Sequence, residues 1–279
     1  MKFSINQSEL QNALSVVLKG IATRSTLPIL SGIYLDAHDD TLTLQATDLE
    51  LSIQYSVSAL IEVPGKLFSE IVKNLPDAAV HVAAEDDSAV ITCDTASFSI
   101  KTLDAEDFPG FPHVDVQQEV SIPFTQFASM VKRVARVVSK DESRAILTGV
   151  LITLEDTTLK MVATDSYRLA ITEAELPESS AEEFQAVIAG SFLQEISSLP
   201  RSEDDLKLAL AENQIVVTYH DTVFINRRLE GNFPNYRQLL PDSYATRVSM
   251  DVGHLVAGVK RTSLLGQTSS PVRFDINMA

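Results

Sequence analysis

Two stretches of the 279-residue chain share one pattern: PILSGIYLDAHDDTLTLQATDLELSI at residues 28–53 and AILTGVLITLEDTTLKMVATDSYRLAI at residues 145–171. A leucine, a glycine and the triplet Ala-Thr-Asp recur in both, each 117 positions from its counterpart, so that Asp48 aligns with Asp165. Further matches downstream lie 124 to 126 positions apart, as small loop insertions would produce. Self-similarity at a nearly constant spacing indicates repeated structural units. The sequence therefore predicts two copies of a unit of about 120 residues.

A third copy begins near Arg247, because Lys260-Arg261 aligns with Lys132-Arg133 at a spacing of 128 positions. Three complete copies need about 360 residues, so we expect the sequence to cover part of a longer chain. The predicted domains are residues 1–117, 118–246 and 247–279, the last being the beginning of a third unit.

Each unit is predicted to place two helices on antiparallel sheet. In the first unit, Ser8 followed three residues later by Gln11 is typical of a capping box, and apolar residues then recur at helical spacing over residues 10–17. Apolar and polar residues alternate within residues 41–57, which predicts strands. A second apolar helix pattern covers residues 67–75. Helices on antiparallel sheet make an α+β fold.

Composition and charge exclude several classes of protein. Lys plus Arg number 22 against 38 Asp plus Glu, a net charge of −16, which argues against attachment to nucleic acid or to an anionic membrane by overall charge. Cys93 is the single cysteine, so no intramolecular disulfide forms, and no Cys/His spacing suits zinc. The N-terminus lacks a signal-peptide pattern, and no apolar run reaches 18 residues. We expect a cytoplasmic protein with no membrane partner, no metal and no cofactor.

The predicted helix between residues 120 and 140 departs from this acidic background. It carries four basic residues and no acidic one. Three of the four are spaced i, i+4 and i+8 on a face separate from the apolar stripe, where like charges repel each other. An anionic partner would explain such a face, and a solvated, solubilising surface is the alternative. The four residues are Lys132, Arg133, Arg136 and Lys140.

Basic residues recur at matching positions of the other units. Lys19 aligns with Arg136, and Lys260 and Arg261 align with the basic pair of the second unit. A positive surface inside an acidic protein favours contact with the phosphates of duplex DNA. Such contacts carry no sequence information and permit sliding.

Two other classes of function remain open. An enzyme is one, but the phosphate-binding, dinucleotide-binding, metalloprotease and nucleophile-elbow motifs are all absent, and the five histidines recur at no equivalent position. Asp48 and Asp165 recur after Ala-Thr at strand ends, which favours a structural turn over an active site. A peptide-binding scaffold without DNA contact is the other.

The chain resembles the bacterial DNA polymerase III beta subunits, the sliding clamps. The resemblance covers the whole chain and implies a head-to-tail homodimer, in which six similar domains form a pseudo-symmetric ring with helices lining the hole. It implies that the ring encircles duplex DNA and tethers the replicative polymerase, conferring processivity without chemistry of its own. The implied partners are the polymerase III catalytic subunit, the clamp loader and other proteins with a clamp-binding motif. The motifs that carry the resemblance are RSTLPIL at 24–30, TDLE at 47–50, VATD at 162–165, RLA at 168–170 and GNFPNYR at 231–237.

The resemblance adds Arg24 and Lys66 to the predicted DNA contacts. A further DNA-contacting loop of the family falls at Asp141, Ala145 and Ile146, which are neither basic nor aromatic, so the resemblance carries no contact to them. The complete predicted set is Lys19, Arg24, Lys66, Lys73, Lys132, Arg133, Arg136, Lys140, Arg201, Lys260 and Arg261.

The resemblance also implies a pocket for partner peptides between the second and third domains and an interface that closes the ring. Apolar anchors framed by Thr and Arg suit a short peptide, and ordinary core packing is the alternative for its leucines. The predicted pocket residues are Leu147, Thr164, Ser166, Tyr167, Arg168, Leu169, Pro234 and Leu239. The predicted interface residues are Phe98, Ile100, Leu264 and Leu265.

Overall fold

A computed structural model describes residues 2–22, 27–38, 41–56, 63–85, 87–104, 107–114, 116, 118–176, 183–264 and 271–276. The described chain divides into two compact structural units, Met1–Phe233 and Pro234–Ala279.

The first structural unit, Met1–Phe233, contains two of the sequence repeats, and each repeat has the same succession of elements. The first succession is β1 (Lys2–Asn6), α1 (Gln7–Val17), β2 (Gly32–His38), β3 (Thr41–Thr47), β4 (Leu51–Ser56), β5 (Val63–Pro64), α2 (Gly65–Lys73), β6 (Ala79–Glu85), β7 (Ser88–Cys93) and β8 (Ala96–Lys101). The second is β9 (Gln118–Pro123), α3 (Phe124–Val134), β10 (Gly149–Glu155), β11 (Thr158–Thr164), β12 (Leu169–Glu175), β13 (Phe184–Ala189), α4 (Gly190–Ser197), β14 (Asp205–Leu210), β15 (Gln214–Tyr219) and β16 (Thr222–Arg227).

The strand order of the sheets repeats as well. Within the described residues, β1-β6-β7-β8 corresponds to β9-β14-β15-β16, and β5-β2-β3-β4 corresponds to β13-β10-β11-β12. The strand pairings among the described residues are antiparallel, as between β3 and β4 and between β11 and β12. The predicted α+β fold, with two helices on antiparallel sheet in each repeat, is confirmed.

A sheet shared by the two repeats joins them. Strand β4 of the first repeat pairs with β16 of the second, with Ile53 opposite Phe224, so that eight described strands form one continuous sheet. The repeat alone does not predict this pairing, because edge strands of both repeats offer the same backbone groups. Continuous backbone hydrogen bonding across the boundary ties the two repeats into one unit.

The helices cover the sheets with their apolar faces. Leu10, Leu14 and Val17 of α1 are completely buried, and Phe127 and Val131 hold the same position in α3. This confirms the amphipathic pattern of both helices. Burial of each large apolar side chain contributes about 1.5–3 kcal/mol relative to exposure, so these stripes hold the helices to the sheet.

The start of α1 differs from the predicted capping box. Asn6, not Ser8, caps the helix, because its Oδ1 accepts a hydrogen bond from the backbone N–H of Ser8 at 3.1 Å. Gln11 accepts a hydrogen bond from Gln7 within the helix instead of reaching back to a cap. The strand and helix are contiguous, so the residue that ends β1 is the one placed to cap α1.

The basic helix of the second repeat is shorter than predicted. Helix α3 ends at Val134, a 3₁₀ turn covers Ala135–Val137, and the backbone N–H of Ser139 bonds to Leu147 instead of continuing the helix. Consequently Lys140 does not lie on the same helical face as Lys132. The β-branched residues Val137 and Val138 end this stretch, and such residues favour the extended backbone that follows the turn.

The Thr-Asp motif forms the same turn in both repeats. Asp48 Oδ1 accepts hydrogen bonds from the backbone N–H groups two and three residues ahead, at 3.0 and 2.8 Å, and Asp165 Oδ1 does so at 3.0 Å for both. Leu49 and Ser166, directly after the aspartates, have φ of 78° and 75°. The interpretation of this motif as a structural turn is confirmed.

The second unit contains α5 (Val252–Ser263), capped by Asp251, and a 3₁₀ turn at Tyr236–Leu239. In the part of the chain that the structure describes, no helix is long and apolar enough to cross a membrane.

Candidate nucleic-acid interface

A groove between α3 and α4 brings three of the predicted DNA contacts together. Lys132 at the end of α3, Arg136 in the following turn and Arg201 after α4 line a space of about 940 Å³. The helices pack side by side, and small residues such as Ala128 and Ser198 line the groove between the basic residues. Small side chains leave a channel open between the helices, while the long basic side chains border it.

The three basic side chains in this groove are available to an anion. All three residues are exposed, and within the described residues none of them is in an ion pair. Arg136 Nε donates a hydrogen bond to the backbone carbonyl of Lys132 at 2.9 Å, which holds the guanidinium beside the end of the helix. Cations at a helix C-terminus are favoured by the helix dipole, so the arrangement is locally stable despite like charges.

Lys19 reaches the same region from the first repeat. Its Nζ lies 2.8 Å from Oε2 of Glu195 and donates a hydrogen bond to Oγ of Ser198 at 2.9 Å. Ser198 also lines the groove, so the structure places Lys19 beside it. The charge of Lys19 is therefore shared with a carboxylate, a contact that the sequence pattern did not reveal.

The remaining predicted contacts are placed as follows. Lys66 and Lys73 are exposed at the two ends of α2, which packs against α1. Arg133 and Lys140 are exposed near the end of α3. Lys260 and Arg261 are exposed in the last turn of α5, in the second unit, and Arg24 lies outside the described residues.

The loop after α3 contains a basic residue that the sequence analysis missed. Arg144 is exposed, its Nη1 donates a hydrogen bond to Oγ of Ser166 at 3.1 Å, and its Nε lies 3.9 Å from Oδ2 of Asp141. Hydrogen bonds from Ser143 lower the pKa of the Asp141 carboxyl, and the charge of Arg144 adds to this. Arg144 lies beyond the acid-free stretch of residues 120–140, and the resemblance points to Asp141, Ala145 and Ile146 of this loop and not to Arg144.

The predicted peptide-pocket residues of the first unit lie around the turn that follows β11. Thr164 is buried, and its Oγ1 donates to the backbone carbonyl of Arg168 at 2.8 Å and accepts from the N–H of Ser166 at 3.1 Å. Leu147 is buried, Leu169 is partly buried, and Tyr167 is 94% exposed. Residues 164–169 therefore share one turn, from which the ring of Tyr167 projects, and Leu147 lies in the 3₁₀ segment Glu142–Thr148 before β10.

Charge fixes this turn. Arg168 Nε donates to Oδ2 of Asp165 at 3.0 Å, and its Nη2 donates to the backbone carbonyl of Arg136 at 3.2 Å. The backbone N–H of Tyr167, and then the N–H and guanidinium of Arg168, hold the pKa of the Asp165 carboxyl below its usual value. Arg168 thus connects the turn to the segment that carries the basic groove.

The other predicted residues of the peptide pocket and of the ring-closing interface are divided between the two structural units. In the second unit, Pro234 accepts a hydrogen bond from the N–H of Tyr236, Leu239 is exposed, and Leu264 is 82% exposed after α5. In the first unit, Phe98 is 42% exposed and Ile100 is buried, both on β8, an edge strand of its sheet. Leu265 lies outside the described residues.

Two family models match the chain: the DNA polymerase III beta subunit, N-terminal domain, over residues 1–112, and its central domain over residues 121–235. A beta sliding clamp from Bacillus subtilis (strain 168) is 31% identical over 283 residues, covering 96% of this chain and 75% of the relative. A beta sliding clamp homolog from Streptomyces muensis is 30% identical, covering 99% and 76%.

Solved structures agree with this assignment. The DNA polymerase sliding clamp from Bacillus subtilis is similar with a TM-score of 0.91 at 29% identity, covering 97% of this chain and 75% of that chain. A sliding clamp from Pseudomonas aeruginosa bound to griselimycin has a TM-score of 0.91 at 26% identity, covering 96% and 75%. The repeated fold, the matched family models and these relatives together show that the chain belongs to the DNA polymerase III beta subunit family, the beta sliding clamps.

Proposed function

We propose that the basic groove between α3 and α4, together with Lys19, faces duplex DNA when the chain acts as a sliding clamp. As a beta sliding clamp, the chain is a processivity factor of DNA polymerase III and catalyses no reaction of its own. The observation that carries the proposal is the grouping of Lys132, Arg136 and Arg201 along one groove of a chain with net charge −16.

The charge distribution suits a protein that must hold DNA without stopping on it. Contacts from a few basic residues to phosphates are independent of sequence and weaken steeply with salt. The acidic remainder of the molecule disfavours other modes of binding to nucleic acid. A clamp built in this way is retained on DNA by encircling it, and the basic groove serves only to guide the duplex.

We further propose that DNA contact extends to the other basic residues of the predicted set. We also propose that two copies of the chain close a ring head to tail. Support comes from β8, an edge strand on which Phe98 is 42% exposed, since an unshared edge can pair with a second chain. The domains would be residues 1–117 and 118–246, with residues 247–279 as the beginning of a third. Such a ring would act in the cytoplasm.

The surface around Thr164 and Leu169 is proposed to receive short peptides of partner proteins, including the polymerase III catalytic subunit and the clamp loader. Its support is the combination of a partly buried Leu169, a projecting Tyr167 and an Arg168 held by Asp165. A few apolar and aromatic side chains in such a patch supply most of the binding energy for a short peptide.

Loading on circular DNA tests the function. The double variant Lys132→Ala/Arg136→Ala is expected to lose most loading onto nicked circular DNA by the clamp loader, because fewer basic residues guide the duplex while the ring closes. The matched control is Lys160→Ala/Lys207→Ala, which removes two bases that lie on strands and pair with Glu173 and Glu119. The control is expected to load normally.

Linearising the circle separates topology from adhesion. Wild-type protein is expected to leave the DNA once an end is available, and retention on the linear form would contradict encirclement. Unchanged loading of the groove variant would instead favour a peptide-binding scaffold that does not contact DNA through these residues.

A further inference from the structure

A cavity lies at the boundary between the two repeats, on the first unit. Three parts of the chain line it: the turn after β3, the segment 108–112 that leads out of the first repeat, and strands β15 and β16 of the second repeat. None of the groove residues described above lines it.

Leu49 at the mouth of this cavity is held in an unfavourable conformation. Its φ is 78°, in the left-handed region, and its side chain is 52% exposed. A leucine in this region costs about 1–2 kcal/mol, and an exposed leucine gains little from burial. Strained residues of this kind are concentrated at sites that hold ligands. Leu49 lines the cavity, so this strained residue lies at the proposed site.

The internal repeat relates this cavity to the proposed partner-peptide surface. Thr47 and Leu49 align with Thr164 and Ser166 at 117 positions, and Pro109 aligns with Pro234 at 125. The two turns also share their hydrogen bonds: the N–H of Leu49 bonds to Oγ1 of Thr47 at 3.0 Å, and the second repeat has the same bond at 3.1 Å. The turn beside the cavity thus has the same hydrogen bond as the turn of the proposed peptide surface, one repeat earlier.

The lining indicates which ligand would fit. Leu49, Phe108 and Phe111 form the apolar part of the lining, and Gln45, Glu50 and Gln214 are among its polar residues. Arg227 also lines the cavity, is exposed, and forms no ion pair within the described residues. The apolar part of the lining beside this guanidinium fits an apolar side chain followed by a carboxylate.

We propose that this cavity is a second peptide-binding site of the clamp, which takes a short segment with an aliphatic or aromatic side chain next to a carboxylate. The inference rests on the proposed function, because it assumes that clamp partners present such segments. It adds a peptide site at the boundary between the two repeats of the first unit.

Methyl NMR of the complete chain with the dipeptide N-acetyl-Leu-Phe tests the proposal. The dipeptide is expected to shift the methyl signals of Leu49 and Ile225. Arg227→Gln is expected to weaken this binding at least threefold, and capping the dipeptide as its amide is expected to do the same in the wild type. Leu49→Asn is expected to weaken it at least tenfold while the thermal midpoint stays equal or rises, because Asn tolerates the left-handed conformation. A residue with a purely structural role would not combine these two effects.

Leu67→Asn is the matched control, since Leu67 is 50% exposed on α2, away from the cavity lining, and its loss is expected to leave dipeptide binding unchanged. Shifts confined to Leu147 and Leu169, or no shifts at all, would overturn the second site. Shifts of Leu49 on raising protein concentration without dipeptide would assign the cavity to a second copy and also overturn it. Retention on circular DNA is measured on the same protein, so a failed second site is distinguishable from a failed clamp.

Discussion

Lys19 and Glu195 form an ion pair between the two repeats, with 2.8 Å between Nζ and Oε2, although 176 positions separate them in the chain. Both side chains are partly exposed, at 26% and 51%, so the pair contributes at most about 1 kcal/mol to stability. Its larger consequence is electrostatic, since it places a carboxylate beside the basic groove and occupies a lysine predicted to contact DNA.

Replacing Glu195 by Gln is expected to strengthen DNA binding. The change removes a negative charge near the groove and releases Lys19 to contact phosphates, so affinity for linear duplex at low salt should rise by about two- to tenfold and fall more steeply with salt. Fluorescence anisotropy over a salt series measures both. Glu173→Gln removes the same charge from a Lys160 pair on a strand and serves as control. Equal effects of the two substitutions would mean that only net charge matters.

The turn at Asp165 is expected to lose stability in acid. The lowered pKa means that its contribution is complete above the ordinary Asp pKa of about 3.9 and is lost as pH falls through the lower value of the folded state. Asp165→Ala should cost about 1 kcal/mol at pH 7, because two backbone N–H groups lose their acceptor. Urea unfolding at pH 7 and pH 3 should show a smaller difference from wild type at the lower pH. A constant difference would contradict this assignment.

Gly149 lies where no larger residue fits. A Cβ at this position would come within 2.5 Å of Cγ1 of Val187 and 2.7 Å of Cδ1 of Leu229, so Gly149→Ala should cost about 1–3 kcal/mol through overpacking. Thermal unfolding measures the loss. Gly110→Ala is the control, because a Cβ there meets nothing within 4 Å and should change stability by less than about 0.5 kcal/mol.

Leu169 distinguishes a peptide anchor from ordinary core. Leu169→Ala should weaken binding of a labelled clamp-binding peptide from DNA polymerase III by about 1–3 kcal/mol if the side chain is an anchor, and leave duplex binding unchanged. Peptide anisotropy and duplex anisotropy on the same preparation provide the two readouts. Lower thermal stability with unchanged peptide affinity would identify Leu169 as a core residue instead.

Most elements of the fold could be predicted, because their signals are local. The apolar stripe of α1 and the alternation in β3 depend on residues a few positions apart, and the turn at Asp48 closes within three residues. Boundaries were less predictable. Asn6 caps α1 two residues before the predicted cap, because strand β1 runs directly into the helix. Helix α3 ends before Lys140, the last basic residue assigned to it, because the backbone of Ser139 forms a tertiary hydrogen bond instead of a helical one.

The candidate site was predictable in residue type and only partly in arrangement. Basic residues at repeat-equivalent positions indicated Lys132 and Arg136, which do line one groove with Arg201. The same reasoning treated Lys19 as equivalent to Arg136, whereas the structure pairs Lys19 with Glu195. It did not identify Arg144, which donates a hydrogen bond to Ser166, 22 positions away in the sequence. A count of charges along the sequence does not identify an ion-pair or hydrogen-bond partner that lies on another helix, strand or turn.

The sequence by itself determined the repeat, the order of strands and helices within it, and the Thr-Asp turn, since periodic burial and bonds between near neighbours dictate each of these. Only the tertiary structure decided that β4 pairs with β16, that Lys19 reaches α4, and that a cavity opens beside Leu49. Equivalent strands of a repeat carry equivalent backbone donors and acceptors, so their pairing depends on how the repeats pack together, which no local pattern specifies.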